Sequence, residues 1–176
     1  MTNKMKIVEL EIAGHDWKSL RCGCGRSAAH LAGDLLTLAR AQSHSDVDRV
    51  ALDDHVMVPP GLLVEPALPV VSVALAALAD ETSPKARFTF LKTLLVLAGG
   101  GEGQTFELDR QGRDLPVECA AAAQSGIWLL YREVFSGPTM GAASYAYEIL
   151  TLIDDDEERL DRVRIAAGAR LSEDLR

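Results

Sequence analysis

Apolar residues return at three- and four-residue steps along most of this chain, a period that predicts helices. The clearest run starts at Ser27, a good N-cap, and places Leu31, Leu35, Leu38 and Ala39 on one face before fading near Gln42. Ser45 or Asp46 can cap a second helix, with Val47, Val50, Ala51 and Val58 facing one way and Asp48, Arg49 and Asp53 outward. Pro59-Pro60-Gly61 stops it. A third helix is predicted from Pro66 to Ala79, entered through two prolines that suit a first turn. Ser83-Pro84 opens a fourth that runs to Ala98. Its polar stripe is only Lys85, Thr89, Lys92 and Thr93, so it should pack on two sides. The pattern resumes from Pro116 to about Phe135 with a bend at Gly126, then from Thr139 to Ile153. A last helix follows the DDDEE run and ends near Gly168, its carboxylates placed where the helix dipole favours them.

Three stretches break the rhythm. Residues 6–12 alternate, with Val8, Leu10 and Ile12 opposite Glu9 and Glu11, which reads as a short strand or extended arm within 1–14. Next, Trp17 and Leu20 share a helical face before CGCG at 22–25 turns the chain. Residues 99–115 form a long loop in which TFELD could make a short strand. The rest recurs at about 40 residues per helix pair, the period of HEAT or armadillo units. The fold class expected is all-α: one domain over 1–176, a short HEAT-like α-solenoid of stacked antiparallel pairs at 27–58, 66–98 and 116–153, followed by a half-unit. A closed helical bundle is the alternative.

Composition narrows the function. Among 176 residues, 26 are acidic and 18 basic, a net charge of −8, which argues against gripping nucleic acid. Three cysteines cannot all pair, as suits a reducing compartment. Glu9 and Glu11 interrupt any signal-peptide core. The nearly apolar stretch 62–79 carries Glu65, Pro66 and Pro69 and makes a poor membrane span. The expectation is a cytoplasmic protein without membrane contact.

Catalytic and ligand signatures are weak. His15, Cys22, Cys24 and His30 are spaced H-x6-C-x-C-x5-H, without the C-x2-C knuckle that orients two thiolates on one metal. The expected reading is a glycine-rich turn and no metal, with Cys119 in the core. GGGEG at 99–103 lacks the Gly-Lys-Ser/Thr ending of a phosphate loop, so no cofactor is expected. His44 and His55 lie among Asp46, Asp48, Asp53 and Asp54, but no motif fixes a nucleophile nearby, and no catalytic residue is assigned.

Several short segments resemble bacterial HEAT-like repeat proteins: Asp16-Trp17-Lys18-Ser19-Leu20, Gly25, Ser27-Ala28, Ala51-Leu52-Asp53, Gly61 and Pro66-Ala67-Leu68-Pro69. The resemblance covers about residues 15–98; beyond them only the helical rhythm continues. Pro59-Pro60 stands where a more polar turn is expected, and CGCG is unusual. Relatives of this kind often neighbour toxin genes, so the resemblance implies an immunity protein. Such a protein would be non-enzymatic and would occlude a toxin, a basic one by charge. Candidate partner-binding residues are Asp46, Asp48, Asp53, Asp54, Trp128, Tyr131, Tyr147, Asp154, Asp155 and Asp156, with Tyr147 expected to be exposed and Trp128 and Tyr131 more core-like. The other readings are a general scaffold and an enzyme using residues 99–115 as a lid.

Overall fold

The computed structural model describes residues 6–100 and 112–176, and the fold is all-α. Ten helices follow one another among those residues: α1 (Ile7–Ala13), α2 (Leu31–Arg40), α3 (His44–Val47), α4 (Asp53–Val56), α5 (Ala67–Ala79), α6 (Pro84–Ala98), α7 (Leu115–Ser125), α8 (Ile127–Ser136), α9 (Met140–Ile153) and α10 (Glu157–Ala167). A two-residue ribbon, β1 (Met57–Val58) with antiparallel β2 (Leu62–Leu63), joins α4 to α5. None of the helices is long and apolar enough to cross a membrane.

Local chemistry sets most helix starts. Ser83 accepts from the Ala86 amide ahead of Pro84, Thr139 from Ala142, Asp114 from Val117 and Asp156 from Arg159. Ser27 caps too, but through a 3-10 turn (Ala28–His30) that leads into α2. Gly126 divides α7 from α8. A Cβ there would lie 2.4 Å from a Leu75 methyl carbon, so any other residue would have to push the Leu75 side chain of α5 aside.

α5 is the hub. Val70, Val71, Val73, Ala74, Leu75, Ala77 and Leu78 are buried around most of its circumference. α1, α6, α7 and α8 cover it, while α9 packs between α6 and α8. The pairing of α5 with α6 matches the expected 66–98 unit. A salt bridge closes this core: Glu133 of α8, 2 % exposed, accepts two bonds of 2.9 Å from Arg87 of α6. Arg87 also donates to the Leu78 and Asp80 carbonyls at the end of α5 and to the Thr82 hydroxyl.

Two expected elements differ. Residues 7–13 are helical rather than extended: Val8 and Ile12, four apart, are buried, while Leu10 is 62 % exposed. Long-range packing decides this. The Val8 amide donates to the Asp80 carboxylate at 2.9 Å, which ties the start of α1 to the end of α5. The second helix expected at 45–58 is instead α3, a break, α4 and the ribbon. Asp46 folds back to accept from the Ser43 amide and hydroxyl, and chain reversal at Gly61 pairs β1 with β2. The expected TFELD strand and most of the 99–115 loop lie outside the described residues.

The Arg87–Glu133 pair gives a direct stability test. Glu133→Ala strands the largely buried Arg87 guanidinium and should cost about 3 kcal/mol, read as a lower midpoint in urea. Replacing both partners with Met and Leu should recover most of that loss.

Candidate functional site

A cysteine–histidine cluster forms where two segments distant in sequence meet. Residues 21–27 make a tight hairpin in which the Cys22 amide donates to the Arg26 carbonyl and the Gly25 amide to the Cys22 carbonyl. Gly25 takes φ +82°, a conformation that suits glycine. Gly23 seats the hairpin on α4. Its amide donates to the His55 carbonyl at 3.0 Å, and a Cβ there would meet the Met57 and Asp54 carbonyl oxygens at 2.6 and 2.7 Å. The Arg21 amide donates at 2.7 Å to buried Glu65, which fixes the other edge.

This framework brings four donor atoms together. Cys22 Sγ lies 3.1 Å from His55 Nδ1 and 3.8 Å from His30 Nε2, and the two ring nitrogens are 3.3 Å apart. Cys24 completes the group, with all four donor atoms within 4.8 Å of one another. Cys22 is buried, Cys24 exposed and both histidines half-buried. Burial pushes the Cys22 thiol above its ordinary range. The Arg26 backbone N–H, aided by Cys22 and the Arg26 side chain, brings Cys24 down to about 6. His15, considered with these residues in the sequence, lies elsewhere: it pairs with Glu11 at 3.0 Å and meets Trp17 edge-on. His55 takes its place. No spacing rule points to it, because it joins Cys22 across 33 residues.

The sequence-derived partner residues scatter. Asp46 is spent on the α3 capping box, which also holds its carboxyl below the usual range. Asp48 and Asp53 line an open groove of about 770 Å³, to which Lys85 and Lys92 of α6 also contribute, while exposed Asp54 is not among its lining residues. His44 also lines the groove, against Lys85, whereas His55 belongs to the cysteine cluster. Tyr147, expected to be exposed, is 6 % exposed. α9 is buried on nearly all sides, and the Tyr147 hydroxyl donates to the Leu160 carbonyl. Cys119 is in the core as expected, its thiol pushed up to about 12 by burial.

At the end of α9 the remaining candidates converge. Asp154 is buried rather than displayed, accepting from the Tyr131 hydroxyl and from Arg159 Nε at 2.9 Å. Tyr131 is correspondingly buried at 6 %, as its core-like character suggests. Trp128 reverses its expectation and is 70 % exposed, because it falls on the outer stripe of α8 with Arg132 and Phe135. The ring is supported from behind by Tyr131, centroids 5.5 Å apart, and by the Arg159 guanidinium at 5.9 Å. Asp156 caps α10 and pairs with Arg159 at 3.2 Å; Asp155, Glu157 and Glu158 are exposed alongside it in sequence.

The chain matches no protein-family model, no curated protein and no solved structure.

The Asp154 network has a pH signature. Arg159 is the main cause that holds its carboxyl down to about 2, below the ordinary 3.8. The folded-state value is depressed, so this stabilisation is fully present above about pH 4 and is lost as pH falls through 2. Asp154→Asn should cost on the order of 2 kcal/mol at neutral pH. Unfolding titrations should show that this difference narrows between pH 4 and pH 2.

Proposed function

We propose that the protein is a non-enzymatic, HEAT-like binding domain that takes a protein partner on the Trp128 face. In its most specific form it is a cytoplasmic immunity protein that occludes a cognate bacterial toxin. The observation that carries this reading is Trp128: an indole 70 % exposed, yet held in place by Tyr131 and Arg159. A large aromatic ring that is already ordered loses little entropy on docking, which is why such residues become interface hot spots.

The surroundings favour a basic partner. Asp155, Glu157 and Glu158, close to Arg159 in sequence, are exposed, and the whole chain carries −8. Exposed carboxylates on a binding surface speed encounter with a positive partner and disfavour acidic competitors. Toxins that cleave nucleic acid are commonly basic, because their substrates are polyanions. Among the carboxylates around residues 154–158, buried Asp154 acts indirectly by holding Arg159 against the Trp128 ring.

Co-expression with the product of the adjacent reading frame should give a stable complex that inhibits that product. Trp128→Ala should weaken it by about 2 kcal/mol, roughly 30-fold in Kd. Asp155→Asn should mainly slow association and flatten its salt dependence. A neighbour that does not bind contradicts the immunity reading, and an unchanged Kd for Trp128→Ala contradicts the assigned face.

A further inference from the structure

We propose that Cys22, Cys24, His30 and His55 form a structural Zn2+ site that staples the 21–27 hairpin, the start of α2 and α4 to one another. The donor set is S2N2, which selects zinc among common intracellular divalent metals when the geometry is tetrahedral. With Zn–N of about 2.0 Å and Zn–S of about 2.3 Å, a tetrahedral ion holds its donors about 3.3 to 3.8 Å apart. The separations among Cys22 Sγ, His30 Nε2 and His55 Nδ1 are 3.1, 3.3 and 3.8 Å, and Cys24 Sγ lies within 4.8 Å of all three.

Lone-pair directions supply a second argument. His30 Nδ1 lies 3.2 Å from the Ser27 carbonyl oxygen, which can only accept, so Nδ1 carries the proton. In the neutral ring, Nε2 then presents its lone pair to Cys22 and His55. This is the outer hydrogen bond that commonly orients a metal-bound histidine. His55 Nδ1 faces both His30 Nε2 and Cys22 Sγ and has at most one proton to give. A cation serves all of these donors at once, and two thiolates balance its charge.

The position of the site explains its role. Residues 41–66 contain only four-residue helices and a two-residue ribbon, so backbone hydrogen bonding and the burial of Leu52, Val56 and Leu63 fix this segment lightly. A metal ligated at 22, 24, 30 and 55 closes that segment back onto α2. Four protein ligands leave no open coordination position, which makes the site structural rather than hydrolytic. Exposed Cys24 gives the ion an entry path.

The test uses the full chain, reduced and stripped of metal, titrated with Zn2+ against a chromophoric chelator and separately with Co2+. The expected result is one Zn2+ per chain, an intense visible Co2+ spectrum of tetrahedral type with thiolate charge-transfer bands, and Cys24 alkylation that zinc slows. Cys24→Ser alters an exposed side chain and should keep the helical circular-dichroism signal. It should weaken zinc binding by more than the roughly 10–100-fold cost of losing an outer-shell partner and leave a one-thiolate cobalt spectrum. His55→Gln should weaken binding similarly, whereas His15→Gln should bind as the parent does. Three results each overturn the proposal: no stoichiometric zinc, a pale octahedral cobalt spectrum, or affinity unchanged in both Cys24→Ser and His55→Gln. A Cys22–Cys24 disulfide that persists in reductant while no zinc binds also overturns it.

Discussion

The fold depends on the need to cover α5. A thirteen-residue helix with apolar side chains around most of its circumference cannot rest on a surface; it must be enclosed. Enclosure brings residues from both halves of the chain to the same core, and it explains why α1 is a helix. Seven residues with alternating polarity have little intrinsic reason to coil. They gain one when Val8 and Ile12 can be buried and Asp80 accepts from the Val8 amide in the first turn. The same enclosure fixes Gly126 against Leu75 and brings Arg87 to Glu133, the ion pair that seals the far end of α5.

What could be read from sequence follows from the range of the forces involved. Helix starts at Ser83-Pro84, Thr139 and Asp156 and the break at Gly126 are local chemistry, and they stand within a residue or two of their expected positions. The helix expected over 45–58 failed because local side-chain hydrogen bonds, such as Asp46 to Ser43, competed with the helical ladder. Exposure was harder still. Trp128 and Tyr131 are three residues apart and read as one face, yet α9 and the Asp154–Arg159 network cover only Tyr131. Tyr147 was misplaced for the converse reason: α10 folds back over a surface that α9 alone would expose.

The cysteine–histidine cluster illustrates the same limit. Cys22, Cys24 and His30 are adjacent enough to attract notice, but their spacing follows no familiar knuckle. The fourth donor arrives with α4, brought there by the close approach of Gly23 to the Asp54 and Met57 carbonyls. A glycine between two cysteines can be read from the sequence. Its function as the contact that lets one backbone lie against another cannot. The molecule thus has a well-packed helical part, on which Trp128 is displayed, and a lightly built segment over 41–66, anchored to the core by Leu52, Val56 and Leu63 and otherwise held by polar contacts and the cluster.

Hydrogen exchange read by mass spectrometry, with and without Zn2+, tests this division most directly. The slowest exchange is expected in α5 and α6 whether or not zinc is present. Faster exchange is expected over 21–30 and 44–63, slowed at least several-fold by zinc. Fast exchange in α5 would contradict the proposed hub. Segments 21–30 and 44–63 already as protected as α6 without zinc, or indifferent to its addition, would contradict the claim that the cluster holds them together.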